Sequence, residues 1–578
     1  MLTIFMSKFF KAMELIKPIL WLGLVLPVSV FAQSTPQLAE LVEQGRRIYM
    51  EGIDGSGNPL QGIRADNAKL VGAQAACVNC HKRSGMGSVE GDILIQPITG
   101  NYLFNPNKFQ LATMDPRSGK KFNLTHAAYT EESLAVAISA GVNNSGRKMH
   151  LLMPNYPLDR GDMTALSAYL KELSKEWSPG VSKDAIRLAT VITPEVEGER
   201  RKAFIDTLQK AVMQKNGNTS TSQNKKGRRH MISAAEMVLG TERTWILDVW
   251  ELQGAPETWG TQLDEKYKAQ PVFALLSGLT NTTWEPIHNF CENTHMLCWF
   301  PSAPLPPAAE SFYSLYFTRG VNLEADVFSS YLTGNAKPKR VVQIRRDDSI
   351  AREAAKRLGT SLAAVGIVVE ERVFKAGESI SVQQVTSGLT SDDVTMFWLR
   401  RTDLMELGKF SLPIVNAAYF SAELAGGEQG IPTTWRNVAH LIYPYELPDK
   451  RQSNLTNFHA WHTMKKLPLI DEPLQAEAFF AVEFLTETLA EMLDNLYRDY
   501  LVERAENMLS RSESVKSEQQ VRERLMWGKS GAITKQQGTS IYPHLGLGVD
   551  QHFASKGAYI VHYDKDGKLV AETDWIVP

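Results

Sequence analysis

The spacing Cys77-Val78-Asn79-Cys80-His81 constrains this chain more than any other feature it carries. Two thiols three positions apart reach the two vinyl groups of one porphyrin and form thioethers, and the adjacent imidazole then lies under the iron. A two-thiol redox site has no need of the following His, and a zinc site wants a second ligand pair. The pentapeptide therefore predicts one covalent haem c on Cys77 and Cys80, with His81 as the first iron ligand.

The N-terminus agrees with that chemistry. Lys8, Lys11 and Lys17 precede an apolar run from Ile19 to Phe31, and Val30-Phe31-Ala32 offers a small residue before a cut at Gln33. This pattern predicts a signal peptide over 1–32, since the run falls short of the ~20 residues a bilayer span needs. Haem attachment of this kind is performed outside the cytoplasm, so the mature protein is expected in the periplasm with no membrane span. Cleavage moves the formal charge from −2 to about −4, which leaves no nucleic-acid footprint. At 578 residues the chain has room for several domain-sized units.

The first module, 33–177, reads as helices around the haem loop. Leu38 to Met50 is amphipathic; Thr130 is an N-cap candidate for a helix ending at Gly141; Asp159 to Leu173 carries Met163, Leu166, Tyr169 and Leu170 at helical spacing. Candidates for the second iron ligand are Met86, Met114, Met149, His150, Met153 and Met163. Met153 is preferred because Pro154 follows it and a polar loop then leads into the last helix. Met149 and His150 are its rivals on the same loop.

Gly45-Arg-Arg-Ile-Tyr49, Cys77 to Gly87, Gln96-Pro-Ile98 and Leu152-Met-Pro-Asn-Tyr156 resemble successive landmarks of the class I cytochrome c family. The resemblance covers about 140 residues and implies an all-α module with His81 and Met153 as axial ligands. It makes the Pro97 carbonyl the candidate acceptor for the second His81 ring N–H, and lets Gly45 bring the first helix against the last. A longer insertion than minimal family members carry lies between Gly100 and Tyr129.

A linker, 178–183, leads into 184–578, where apolar runs alternate with helical stretches, the pattern of parallel α/β sheets. Ile186 to Thr193, Trp245 to Leu252, Val272 to Leu276 and Met296 to Phe300 are expected strands of one lobe. Arg340 to Ile344, Ile367 to Val373, Val394 to Leu399 and Pro413 to Ala417 are those of a second. Asn216 to Arg229 reads as a polar loop, Pro473 to about Ser510 as one long helix, and Asp566-Gly567 as the turn of a terminal hairpin. Cys291 and Cys298 are expected to close a disulfide in an oxidising compartment, the alternative being a metal site with His288 and His295.

Ile186 to Thr193, Pro271 to Gly278, Ser311 to Arg319, Lys339 to Ile344 and Ser540 to Gly548 together resemble the type I periplasmic solute-binding proteins of the leucine/amide-binding class. The whole chain resembles bacterial fusions of cytochrome c to such a domain. The resemblance implies a two-lobed α/β fold with a small ligand between the lobes. Ser277, Thr280 and Thr282 are then candidates to hold a carboxylate or other small anion, with Ser302 joining them and Glu477 meeting a ligand amine.

The expected function is one-electron transfer in the periplasm, with a dehydrogenase or another cytochrome as redox partner. Two alternatives stand beside it: a ligand sensor whose lobe closure is coupled to haem redox state, and an oxidoreductase acting on a ligand in the cleft. No nucleophile elbow, phosphate loop, zinc-protease motif or dinucleotide fingerprint is written in the chain, so an electron carrier and binding protein is favoured over an enzyme.

Overall fold

The structure is a computed structural model describing residues 36–90, 93–106, 110–112, 121–123, 125–196, 198–224, 243–307, 311–335, 338–413, 417–511, 540–548 and 551–578. The expected signal peptide and Met114 lie outside the described residues.

The haem-motif module has its own core, in which Ile48, Tyr49, Leu60, Leu103, Ile138 and Leu166 are buried together. Its helices are Pro36–Glu51, Glu131–Ala140 and Arg160–Glu172, with the short turn Val78–His81 carrying the motif. Thr130 and Ser133 form a capping box, Gly141 closes that helix at φ 65°, and Asp159 caps the last helix. At Gly45 a Cβ would lie 2.1 Å from the Ala165 carbonyl oxygen, so only glycine lets these two helices cross so closely. The module is not all-α. Gln61–Ile63 pairs with Lys69–Val71, Ser88–Glu90 with Ile93–Ile95, and Gln110–Ala112 with Lys121–Asn123, all antiparallel. Long inter-helix segments satisfy their backbone groups by pairing with themselves, and the last pair falls within the insertion.

The large domain has two parallel sheets of the same topology. In the first, Ala185–Ile192, Thr244–Glu251, Ala274–Leu276, Leu297–Trp299 and Ser314–Leu315 take the order 2-1-3-4-5 by chain number. In the second, Arg340–Arg346, Val368–Phe374, Asp393–Trp398, Ala418–Ser421 and Ala439–Tyr443 repeat that order, and Tyr559–Tyr563 and Leu569–Ala571 extend it antiparallel. The inner strands of the first sheet are buried on both faces, which is why they read as unbroken apolar runs.

Three expectations shift. The fourth strand of the second sheet is Ala418–Ser421 rather than 413–417, of which 414–416 lie outside the described residues. The helix Gly198–Asn224 runs into the tract expected to be a loop. The long C-terminal helix is two: Glu472–Met492 ends at Leu493, whose φ of 60° breaks it, and a second helix occupies 498–511.

The linker is held rather than loose. Ser178 N–H donates to the Leu496 carbonyl at 3.1 Å, and Arg187 N–H donates to the Gly180 carbonyl at 2.8 Å. Beside it, the haem-motif loop meets the helix 498–511. Ser84 donates to Glu503 from both its N–H (2.9 Å) and its hydroxyl (2.5 Å), and Arg83 lies over the Phe312 ring at 4.3 Å. Among the described residues, no helix is long and apolar enough to cross a membrane.

Candidate functional site

The haem motif is placed by a single turn of helix. Cys77 is its half-buried N-cap, Cys80 is exposed, and His81 is buried. The His81 ring is fixed by Nδ1–H donating to the Gln96 carbonyl at 3.0 Å. The expected acceptor was the carbonyl of Pro97. Ile98 N–H is already committed to the Gly85 carbonyl, and successive carbonyls of an extended chain point opposite ways, so the Gln96 carbonyl is the one that turns to the ring. Burial pushes the imidazole down to about 4, against the raising effect of the Gln96 bond, so the ring is neutral at ordinary pH. A neutral imidazole with Nδ1 protonated presents the lone pair of Nε2, which is what iron requires.

Met153 is half-buried and packs on the same core as Cys77. Its loop is tied to the motif through Tyr156, whose hydroxyl donates to the Ala75 carbonyl at 2.9 Å, and through Asn155, which bridges to Ile63. Met149 is half-buried beside the turn Val142–Lys148, His150 is exposed, and Met163 lies on the last helix against the core. Two thiols, a neutral buried imidazole and a thioether loop tied to the motif fit a covalently bound haem.

The second candidate site is a cavity of about 300 Å³ between the lobes, at the carboxyl ends of both sheets. Thr280, Asn281 and Ser302 line it from the first lobe, Arg400 and Glu423 from the second, and Tyr445 from the connection. Arg400 crosses the cleft to donate to the Asn281 carbonyl at 2.9 Å. The 2-1-3-4-5 order places a switch point between the first and third strands of each lobe, the position where open α/β sheets hold ligands.

The residues expected to hold a ligand are used differently. Ser277 is buried, has φ 55°, and donates its hydroxyl to the Phe300 carbonyl at 3.2 Å. Thr280 and Thr282 both donate to Glu195, each at 2.9 Å. Glu477 is buried, accepts from the Tyr542 hydroxyl at 2.5 Å, and is pushed up to about 8 by desolvation. Ser302 lines the cavity. Sequence reading missed Gln96, Glu195, Arg400 and Glu423. Arg400 lines the cleft and Glu195 bonds the turn 280–282 of its wall; each stands just past the end of a strand, a position that flags such residues once the strand order is known.

Cys291 and Cys298 form a disulfide. His288 Nδ1 is 3.0 Å from the Tyr316 hydroxyl and His295 stacks on Tyr313, so neither completes a metal site with them.

Residues 65–174 match the family model described as Cytochrome c. No curated protein sequence matches the chain. Among solved structures, a substrate-binding periplasmic protein from Ralstonia solanacearum is similar at TM-score 0.47 and 10% identity, over 67% of this chain and 100% of its own. A leucine-binding protein from Thermotoga maritima is similar at 0.45 and 11%, over 68% and 99%. A solute-binding protein from R. palustris in complex with benzoate is similar at 0.45 and 12%, over 68% and 98%. Residues 65–174 are thus similar to cytochrome c, and the large domain is a two-lobed α/β fold whose two sheets share the strand order 2-1-3-4-5.

Proposed function

We propose that the protein is an exported carrier of single electrons, bearing one haem c on Cys77 and Cys80 with His81 and Met153 as axial ligands. The observation that carries this is the buried His81 ring, held by Gln96 at 3.0 Å directly beside the two thiols. When bound, a haem ligated in this way cycles between ferric and ferrous iron, and a thioether ligand favours the ferrous form. The chain's own contribution is geometric. Gln96 fixes the imidazole tautomer, Tyr156 ties the Met153 loop to the motif, and the apolar core around Leu60 and Ile138 packs against Cys77 and Met153. With both axial positions filled by protein, an electron carrier fits better than an oxygen-activating enzyme.

The natural electron partner is another periplasmic redox protein, and the cleft between the lobes is a place for a small ligand. Met153→Ala should keep covalent haem yet lose the ferric sulfur-to-iron charge-transfer band, read by absorption spectroscopy. A band that survives assigns the ligand to Met149 or another Met. For the cleft, a melting scan of the mature holoprotein against small periplasmic metabolites, oxidised and reduced, is the direct test. A ligand at 100 times its dissociation constant stabilises the fold by about 2.7 kcal/mol. A panel without a single shift would leave the large domain as a docking surface for the partner.

A further inference from the structure

The first lobe already holds a carboxylate where an open α/β sheet would hold its ligand. Glu195 stands three residues past the first strand, Ala185–Ile192, and the loop 277–282 leaves the neighbouring third strand, so the two flank the switch point of the sheet. One oxygen of Glu195 accepts four hydrogen bonds: from the hydroxyls of Thr193 (2.6 Å), Thr280 (2.9 Å) and Thr282 (2.9 Å), and from Asn281 N–H (3.0 Å). The Thr280 hydroxyl is further fixed by accepting from Thr282 N–H at 3.1 Å. Thr280 and Thr282, two of the hydroxyls the sequence suggested for a ligand anion, thus converge on a side chain of the same chain.

We propose that Glu195 is an internal ligand, filling the anion position of the first lobe and excluding small carboxylates from it. The electrostatics agree: although burial raises the Glu195 carboxyl, the bonds from Thr193, Asn281 and Thr282 more than offset this and hold it below its ordinary value, as for a bound anion. The Thr280–Asn281 turn also forms part of the cleft wall, and Arg400 reaches it from the second lobe. Whatever the cleft admits therefore meets a turn whose anion-binding groups are already spent, and a free carboxylate gains nothing from Thr280 or Thr282. Glu195 is in this sense a specificity-determining residue, acting by occupancy rather than by contact.

The test is chemical rescue in the mature full-length holoprotein. Glu195→Ala removes the carboxylate and leaves its donors facing a gap, and acetate is the probe that fits it. Sodium acetate at about 100 mM should raise the melting temperature of E195A by about 2 °C or more over matched sodium chloride, and leave the wild type unmoved. Adding Thr280→Val and Thr282→Val to E195A should abolish the response. If E195A does not fold, Glu195→Ser, which returns one hydroxyl to the gap, takes its place in the same comparison. The inference is overturned if acetate does no more than chloride for either variant, or if the wild type responds as they do. It rests on reading the cleft as a ligand site, yet the two fail separately. A metabolite that shifts the wild type while acetate leaves E195A unmoved sinks this inference alone; acetate rescue with no metabolite hit sinks only the ligand reading.

Discussion

The two candidate sites differ in how they are assembled. The haem site is written mainly in five consecutive residues, with the Gln96 carbonyl and the Met153 loop added from within the same small core. The cleft draws Asn281, Ser302, Arg400 and Glu423 from four separated segments of two lobes, and Glu195 accepts from the Asn281 N–H. Covalent and coordinate bonds demand fixed residue types at fixed spacing, so the first site tolerates little ambiguity. A cleft built from hydroxyls and N–H groups has no such protection, because the same donors serve a ligand or a neighbouring side chain equally well. Glu195 shows the second outcome.

The largest expected effect tests how local the haem site is. Replacing Cys77 and Cys80 together by Ser should abolish covalent haem, seen as loss of haem staining on a denaturing gel. The large domain should keep its own cooperative melting transition, because its core clusters are distinct from that of the haem module. Covalent haem persisting in the double variant would overthrow the attachment reading.

A smaller effect, on the large domain, tests how the two regions are joined. Arg498 is buried and donates to the carbonyls of Phe273 (2.8 Å), Val272 (2.7 Å) and His295 (3.1 Å), and its backbone N–H donates to the Ser178 hydroxyl at 3.1 Å. It fastens the helix 498–511, on which the haem loop rests, to the first sheet. Arg498→Met leaves those carbonyls without their donor, and a loss of about 3–5 kcal/mol in the stability of the large domain is expected from denaturant titration. Cleavage of the linker by added protease should accelerate in parallel. A variant with unchanged midpoint and unchanged cleavage would mean that Arg498 does not fasten the junction.

This contrast also marks what the sequence makes legible. The Cys-x-x-Cys-His turn, the capped helices and most strands follow from spacing and apolar periodicity, and the Asp566-Gly567 hairpin from its turn, with Gly567 at φ 74°. Leu493 illustrates the opposite case. Nothing in Met492-Leu493-Asp494 warns of a left-handed residue, since no glycine or proline marks the break. The chain turns there because Asp494 and the residues after it are engaged from outside the helix: its carboxylate by Arg243 at 2.7 Å and its carbonyl by the Trp177 indole at 2.9 Å. The shift from Pro97 to Gln96 is of the same kind, since which carbonyl faces His81 depends on the register of a loop and not on residue type. Ser277 and Phe300, both at positive φ just past adjacent strands, were likewise unreadable as buried supports of the cleft wall.

The smallest expected effect concerns the contact between the two regions and is read as a pH slope. Desolvation pushes the Glu503 carboxyl up to about 8, against the lowering effect of its bonds from Ser84, with Asp499 and Glu506 adding to the rise. The folded protein therefore holds a proton on Glu503 that the unfolded chain releases near pH 4.3. Between those values the unfolded state binds fewer protons, so this group's contribution to stability is full below about pH 4 and is lost as pH rises towards 8. Glutamine keeps an acceptor for Ser84 and has no proton to lose. Glu503→Gln should thus gain stability relative to the wild type as pH rises from 5 to 8, by on the order of 1 kcal/mol once screening of this partly exposed group is allowed for. Glu423 and Glu477 also titrate high, at about 7 and about 8, but they are common to both proteins and cancel in the difference. Denaturant midpoints of the two proteins at pH 5 and pH 8 give that difference directly. A gap between them that does not change with pH would show Glu503 ionised throughout, and the haem loop resting on a charged carboxylate instead of a neutral acid.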